Sequence, residues 1–278
     1  MLSYRHAFHA GNHADVLKHL VLIELLDYYG RKDKPWYYID THAGGGCYAL
    51  DSEQAGKTAE AADGIGRLWG HEDLPPAVAA YVAAVGQFNP QGRLLFYPGS
   101  PALAMTRARA QDRLRLFELH PTDARALDGN VAQLEAGRQI AVFREDGFEG
   151  LKKFIPPPSR RALVLCDPSY EIKSDYARVL AAMTGAITKG SRDMLIAAPS
   201  PFYVFVMLDA IEHARGDGLL LAGVGQIEIG GAGVLPGPRP FGLAVAKQHQ
   251  PMLTDTHAAQ FCRTRRGPSR AVPAVSGW

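Results

Sequence analysis

Apolar positions recur with two different periods along this chain. Behind Asn12, a candidate helix N-cap with Asp15 in the first turn, apolar side chains follow a helical period as far as Gly30. A shorter run at 36–40 is rich in aromatic and β-branched residues, which is typical of a strand. The chain is therefore predicted to begin with a long amphipathic helix that leads into a strand.

Two consecutive helical stretches come next, and no strand pattern separates them, so we interpret them as a small helical insertion. They cover 54–70 and 75–87. Strand and helix patterns alternate after the insertion. Strands are predicted at 94–97, 114–119, 140–144, 162–166, 194–198, 219–229 and 242–247, and helices at 101–110, 121–135, 147–154, 176–188 and 202–214. This alternation predicts an α/β fold with a mostly parallel, doubly wound, Rossmann-like sheet and right-handed crossovers.

The same pattern gives the expected domain organisation. Residues 1–47 and 90–251 form one α/β domain, 48–89 form the helical insertion subdomain, and 252–278 form a C-terminal tail. The tail is rich in Pro, Gly, Ser and Arg, so its structure is left open. Ligands of doubly wound sheets bind at the carboxyl ends of the strands. The residues that directly follow each predicted strand are therefore the candidate site.

Composition narrows the class of protein. Of 278 residues, 47% are hydrophobic and 21% are charged, as in an ordinary globular protein. There is no apolar run long enough to span a membrane and no apolar signal core at the N-terminus, so we expect a cytoplasmic protein without membrane contact. The wide spacing and odd number of Cys47, Cys166 and Cys262 argue against a disulfide framework and a CxxC metal site.

Charge leaves the question of a nucleic-acid partner open. The formal net charge is only +2, which does not by itself indicate such a partner. Basic residues do cluster locally, and each cluster could be an RNA contact or a solvated surface. The clusters lie at 31–34, 152–153, 160–161 and 263–270.

Three candidate ligand positions follow predicted strands. The loop 42–46 contains Gly44, and its glycines allow a tight turn with close approach of the backbone to a ligand. The GxGxxG spacing of dinucleotide-binding loops is absent, which disfavours a dehydrogenase. Glu118 could accept hydrogen bonds from ribose hydroxyls, and Asp146, followed by Gly147, could accept one from an adenine amino group. A surface glutamate and an Asp-Gly turn are the alternatives.

The fourth position is the most specific. Asp167-Pro168-Ser169-Tyr170 follows an apolar strand and resembles the (Asp/Asn/Ser)-Pro-Pro-(Tyr/Phe) signature of amino-group methyltransferases. An exocyclic amine is a poor nucleophile because its lone pair is delocalised into the base. Asp167 and the Pro168 carbonyl could accept both its protons, and Tyr170 could stack on the flipped base. The alternative is a helix start with Asp as N-cap and Pro as the first helical residue.

Five further segments are distinctive. They are 1–19 (MLSYRHAFHAGNHADVLKH), 38–44 (YIDTHAG), 97–101 (YPGSP), 118–121 (ELHP) and 145–148 (EDGF). Together they closely resemble the bacterial large-subunit ribosomal RNA methyltransferase J family, most specifically over the first nineteen residues. The resemblance extends to about Tyr176 and weakens beyond Ala197. Ser169 replaces the family's second proline and 247–251 (KQHQP) replaces an aromatic-proline segment, but the other motif residues remain, so activity is expected.

The resemblance implies a class I methyltransferase that uses S-adenosylmethionine, releases S-adenosylhomocysteine and needs no metal. Its substrate would be N6 of one adenine in 23S ribosomal RNA, either protein-free or in an early assembly intermediate, and the enzyme would be a monomer. The resemblance and the glycine loop together imply the following cofactor-binding residues: His19, His42, Gly44, Ser100, Glu118, Asp146, Gly147 and Asp167. It implies that Asp167 is the catalytic carboxylate and that Tyr4, His6 and Lys18 lie near the substrate.

Residues 4–18 are predicted to form a substrate-side flap with Gly11 as its pivot, because the segment is polar and rich in stacking and phosphate-binding side chains. A disordered N-terminus is the alternative. The histidines of this region do not indicate a metal site, because no carboxylate or cysteine completes a recognisable ligand set. The chain also lacks the GxSxG motif that would indicate a hydrolase. A DNA adenine methyltransferase and a non-catalytic RNA-binding protein of this fold remain as alternative functions.

Overall fold

One main β-sheet with helices packed on it organises the chain in the computed structural model, which describes residues 6–52, 55, 59–188, 193–199, 204–208 and 261–262. The strands are β1 (Tyr37–Asp40), β2 (Cys47–Ala49), β3 (Phe96–Pro98), β4 (Arg113–Phe117), β5 (Ile140–Phe143), β6 (Arg161–Leu165), β7 (Asp193–Pro199) and β8 (Val204–Leu208). The α-helices are α1 (His13–Gly30), α2 (Glu60–Asp63), α3 (Pro76–Gly86), α4 (Ser100–Met105), α5 (Pro121–Ala132), α6 (Gly147–Phe154) and α7 (Ser174–Thr188). Short 3-10 helices cover His6–Phe8 and Ile65–Arg67.

The order of strands in the main sheet is β5-β4-β1-β6-β7-β8. The first five of these strands are mutually parallel, and β8 pairs antiparallel with β7. The chain leaves β1 toward β4 on one side and later returns to β6 on the other, so the crevice at a reversal of strand order lies beside the carboxyl ends of β1 and β6. The prediction of a doubly wound, mostly parallel Rossmann-like sheet is confirmed.

Apolar side chains cover both faces of the sheet. All five residues of β6 are buried, as expected for a central parallel strand with helices on both sides. One face packs against α1 and α4, and the other packs against α6. Leu26 of α1 and Leu151 of α6 are buried on these opposite faces. The central strands are therefore fixed on both sides, which holds their carboxyl ends in place.

The predicted insertion contains α2, the 3-10 helix Ile65–Arg67 and α3. It packs around Tyr81 and Tyr97 in a third apolar cluster next to a small antiparallel pair formed by β2 and β3. The prediction of one continuous helix over 54–70 is wrong, because Gly64 separates α2 from the 3-10 helix Ile65–Arg67. A Cβ at Gly64 would lie 2.0 Å from the Gly11 carbonyl oxygen, so the insertion meets the N-terminal segment here at backbone distance. The domain boundaries at 47–48, 89–90 and 251–252 stay a prediction.

Two further expectations are wrong, and a third concerns residues outside the described ranges. The helix predicted at 202–214 is wrong at Val204–Leu208, which is a strand in register with β7; its run of β-branched and aromatic residues favours that state. The strands predicted at 219–229 and 242–247 lie outside the described residues. The expectation against a disulfide is also wrong, because Cys47 and Cys262 form one with 5.6 Å between their Cα atoms. These cysteines are 215 residues apart, and spacing alone could not pair them.

Across the described ranges, no helix combines the length and apolarity needed to span a membrane.

Candidate active site

Asp167 lies where the crevice opens, two residues beyond the end of β6. It accepts a hydrogen bond from Lys18 of α1, with 2.8 Å between Nζ and Oδ2. Lys18 also contacts Asp15 one turn earlier, with Nζ 2.7 Å from Oδ1. The exposed fractions of the side chains are 8% for Lys18, 2% for Asp15 and 24% for Asp167, so the outer carboxylate alone is open to a substrate. One ammonium group therefore joins a buried carboxylate to an accessible one.

The 3-10 helix His6–Phe8, which precedes α1, contacts the same group of charged side chains through Asp15. His6 Nε2 lies 2.8 Å from Asp15 Oδ2, and the Gly11 amide donates to that oxygen over 2.9 Å. Burial opposes ionisation of Asp15, but the charges of His6 and Lys18 outweigh it and hold the pKa of Asp15 well below its usual value. Burial likewise opposes the charge of Lys18, whereas Asp15 and Asp167 raise the pKa of Lys18 well above its usual value. The lysine and the buried aspartate are therefore both charged.

The motif at 167–170 does not begin a helix. Helix α7 starts at Ser174, so Asp167 and Pro168 occupy neither the N-cap nor the first helical position. Tyr170 adopts a left-handed backbone conformation with φ of 56°, which costs free energy in a residue other than glycine. Its ring lies 4.8 Å from that of Tyr176 of α7 between centroids. The motif is thus a distinct turn, with its tyrosine oriented partly by the following helix.

The glycine loop after β1 contacts the carboxylate predicted to bind ribose. The Gly44 amide donates to Glu118 Oε2 over 2.8 Å, and the His120 amide donates to Oε1 over 2.6 Å. Gly44 has a positive φ of 61°, and a Cβ there would lie 2.2 Å from the Tyr48 hydroxyl, so glycine is required. Burial raises the pKa of Glu118 above its usual value. Glu118 is therefore fixed beside the loop, with acceptor positions remaining on both oxygens.

Asp40, the last residue of β1, is a functional candidate that the sequence did not reveal. It is fully buried and accepts hydrogen bonds from Tyr38 Oη over 2.8 Å and Ser100 Oγ over 2.7 Å on Oδ2. The His42 amide donates to its Oδ1 over 3.2 Å. Burial raises the pKa of Asp40 to about 6. Ser100 and His42, two predicted cofactor residues, thus both donate hydrogen bonds to Asp40. The position of Asp40 just before the glycine loop was the sequence signal that could have identified it as a site residue.

Asp146 and Gly147 lie at the start of α6, beside the same loop. Asp146 is the N-cap of α6, and its Oδ1 accepts from the Phe148 amide over 2.9 Å. A Cβ at Gly147 would lie 1.9 Å from the Thr41 carbonyl oxygen, so glycine lets α6 approach the loop closely. The His42 ring packs on Phe148 with 4.9 Å between centroids, and burial lowers the pKa of His42 to about 4. His42 is therefore neutral at neutral pH.

His19 is fully buried one residue after Lys18. Its Nδ1 lies 2.7 Å from Tyr97 Oη, and its Nε2 has no hydrogen-bond partner among the described residues. Burial lowers the pKa of His19 well below its usual value. A buried ring nitrogen without a partner costs free energy unless a ligand or water satisfies it.

The structure joins several of the predicted residues in two linked groups. Asp15 links His6 to Lys18, and Lys18 in turn binds Asp167. Gly44 bonds Glu118, while Ser100 and His42 meet through Asp40. Asp146 and Gly147 follow β5, and Pro168 and Tyr170 follow β6; β4 and β1 separate these two strands in the sheet. Tyr4 lies outside the described residues. Sequence reasoning missed Asp15 as a site residue, although its spacing of three residues from Lys18 on one helix face was an available signal.

In the part of the chain that the structure describes, no group of three or more His, Cys, Asp or Glu side chains is arranged to hold a metal ion.

Comparisons with known proteins identify the family of this chain. Residues 33–213 match the family described as ribosomal RNA large subunit methyltransferase D, RlmJ. Two relatives named ribosomal RNA large subunit methyltransferase J come from Escherichia coli strain K12, with 49% identity over 183 residues, and Haemophilus influenzae, with 47% identity over 184 residues. Each alignment covers 66% of this chain and 64% of the relative, so the chain spans less than two thirds of the relatives it matches.

A solved structure adds to the fold assignment. The crystal structure of a protein from Legionella pneumophila strain Philadelphia 1 matches with a TM-score of 0.62 and 39% identity, over 68% of each chain.

Proposed function

This chain belongs to the ribosomal RNA large subunit methyltransferase J family, and we propose on that basis that it methylates N6 of one adenine in 23S ribosomal RNA, with S-adenosylmethionine as methyl donor. The names of the relatives support ribosomal RNA as the substrate class. The choice of adenine N6 rests on the chemistry of the motif at 167–170.

The observation that carries the proposal is the position of Asp167. Its carboxylate lies at the crevice, partly exposed, and is held by the Lys18 ammonium group instead of capping a helix. Asp167 Oδ1 and the Pro168 carbonyl can accept the two protons of an exocyclic amine, which favours a pyramidal nitrogen with an available lone pair. As the new bond to the methyl carbon forms, the amine must lose one proton, and acceptors already aimed at it lower the barrier.

Tyr170 supplies the other requirement, which is alignment. Its half-buried ring can stack on a base that has been taken out of its helix, since stacking on aromatic side chains is a common mode of single-stranded RNA recognition. Stacking would hold the amine in line with the leaving sulfur, and such positioning can lower a barrier by several kcal/mol.

The residues around the crevice fit the proposed cofactor. When bound, S-adenosylmethionine supplies an electrophilic methyl group. Glu118 and Asp146 offer acceptors for the ribose hydroxyls and the adenine amino group. Asp40 is a buried carboxylate that accepts hydrogen bonds from the neutral Tyr38 and Ser100 hydroxyls, which suits the cofactor's ammonium group. Nε2 of His19, which has no partner among the described residues, offers a further polar contact.

We propose further that the flap at 4–18 covers the substrate, that the RNA is accepted free of protein or in an early assembly intermediate, and that the enzyme is a cytoplasmic monomer needing no metal. The contact of His6 with Asp15 supports the flap, because it brings the N-terminal segment to the same cluster that holds Asp167. Gly11, with a φ of 80°, turns the chain directly before α1 in a backbone conformation that glycine favours.

The test is transfer of labelled methyl groups from S-adenosylmethionine to large-subunit RNA transcribed without modifications, with duplex DNA assayed in parallel. Incorporation into the RNA, located at one adenine, supports the proposal. Incorporation into DNA alone would identify a DNA adenine methyltransferase, and RNA binding without incorporation would identify a non-catalytic module.

A further inference from the structure

Asp146 has a second partner that the sequence did not suggest. Arg178 of α7 donates from Nη2 to Asp146 Oδ2 over 2.6 Å, and its guanidinium carbon lies 4.3 Å from the centroid of the Phe148 ring. A more distant acidic neighbour, Asp175, lies 3.9 Å from Nη1. Arg178 is thus both hydrogen-bonded to the carboxylate and stacked on the aromatic ring that follows it.

These contacts fix the Asp146 carboxylate at both ends. Its Oδ1 accepts from the Phe148 and Glu149 amides over 2.9 and 3.2 Å, while Oδ2 accepts from Arg178. Each carboxylate oxygen can accept two hydrogen bonds, so Oδ2 keeps one acceptor position open. The side chain cannot rotate without breaking bonds on both oxygens. The direction of the remaining acceptor is therefore set by Arg178.

We propose that Arg178 determines the selectivity of the cofactor site for adenine, by directing the free acceptor position of Asp146 toward the 6-amino group and by forming the outer wall of the adenine pocket over Phe148. The inference rests on the proposed function, since it assumes that Asp146 reads the cofactor's adenine. Burial disfavours the charged form of Asp146, but Arg178 and the Glu149 and Phe148 amides together outweigh it and lower the pKa of the carboxyl, so that the group accepts and does not donate.

A surface ion pair with no further role is the simplest alternative. Arg178 is 41% exposed and Asp146 is 33% exposed, and pairs of such exposure contribute little to stability. The two readings differ in what they predict for ligand choice. A surface pair has no reason to distinguish an amino group from a carbonyl oxygen at position 6 of the purine.

The experiment uses calorimetry of the full chain with S-adenosylhomocysteine and with S-inosylhomocysteine, whose purine carries an oxygen at position 6. Wild type is expected to prefer the adenine ligand. Arg178→Gln should weaken binding of the adenine ligand about tenfold, or about 1.4 kcal/mol, with little effect on the inosine ligand. Arg178→Lys should restore part of the preference, and in an Asp146→Asn background Arg178→Gln should cause no further loss of it.

Arg144→Gln is the matched control, because Arg144 forms a comparable exposed pair with Asp128 outside the site. An unchanged preference in Arg178→Gln, or equal weakening of both ligands, would overturn the inference while leaving the proposed function intact. If Arg178→Gln does not fold, the preference of Arg178→Lys decides in the same way. If wild type binds neither ligand, the proposed cofactor is wrong and this inference fails with it.

Discussion

Lys18 and Asp167, 149 residues apart in sequence, form a hydrogen-bonded ion pair at the mouth of the crevice, with 2.8 Å between Nζ and Oδ2. The same ammonium group contacts the buried Asp15, which in turn binds His6. The start of α1 is thereby fixed to the proposed catalytic motif. A change at His6 can reach Asp167 through two intervening side chains, Asp15 and Lys18.

Removing the charge of Lys18 should impair both folding and methyl transfer. Lys18→Met leaves the carboxylates of Asp15 and Asp167 without their shared cation, and loss of one partner of a buried pair costs about 3–5 kcal/mol. We expect the free energy of unfolding to fall by about that amount, and turnover of the protein that remains folded to fall about a hundredfold. Denaturant unfolding and single-turnover methylation measure the two effects. Lys152→Met, which removes an exposed ammonium group bonded to Glu149, is the control. Turnover of Lys18→Met equal to that of the control would contradict the assigned role.

Cofactor affinity should depend on the carboxylates at the ends of β4 and β5. Glu118→Ala and Asp146→Ala each remove an acceptor of charge-assisted hydrogen bonds, so each should weaken S-adenosylhomocysteine binding by about 1.5–3 kcal/mol. Tyr170→Ala should have a smaller effect, because its ring is assigned to the substrate base. Calorimetry gives the three values, with Glu149→Ala as an exposed control on α6. Wild-type affinity in both carboxylate variants would rule out the assigned cofactor site.

Binding of the cofactor product should also depend on pH through Asp40. Its pKa of about 6 in the free protein means that the carboxylate is charged above pH 6 and neutral below it. The ligand's ammonium group stays protonated over this range and favours the charged carboxylate. Affinity for S-adenosylhomocysteine should therefore increase as pH rises from 5 to about 6.5 and then level off. Asp40→Asn should bind more weakly at pH 7 and show a flatter profile. An identical pH profile in wild type and Asp40→Asn would refute the contact.

The N-terminal segment should matter for turnover more than for stability. A Tyr4→Ala, His6→Ala double variant loses two side chains of the proposed flap, and we expect methylation of RNA to fall about tenfold or more, equivalent to about 1.4 kcal/mol. The melting temperature should change little, since the contact of His6 with Asp15 is only part-buried and Asp15 keeps its contact with Lys18. A large drop in melting temperature would instead show a structural segment, and unchanged turnover would show a dispensable one.

The strand ends were the part of the site that sequence could predict. Glu118 and Asp167 directly follow an apolar run, and Gly44 and Asp146 come within four residues of the end of a strand. Parallel strands bring their carboxyl ends to one edge, so local pattern and topology together placed these residues. The ion pair between Lys18 and Asp167 depends instead on how α1 packs against the sheet, which no local pattern specifies.

Other failures have the same physical origin. Val204–Leu208 was predicted as helix, but strand pairing with β7 decides its state, and such pairing is a tertiary effect. Arg178 carried no sequence signal at all, since an arginine on a helix surface is usually solvated. Its role follows only from the distance to Asp146.

The most direct test of the central claim is methylation by Asp167→Ala compared with wild type, on unmodified 23S RNA, with the nucleoside products identified by mass spectrometry. Loss of the acceptor aimed at the amine should reduce formation of N6-methyladenosine by about a hundredfold to a thousandfold, comparable to removing an oxyanion-hole donor. S-adenosylhomocysteine binding and cooperative thermal unfolding should be retained, which separates chemistry from folding. Near wild-type formation of N6-methyladenosine by the folded variant would contradict the account.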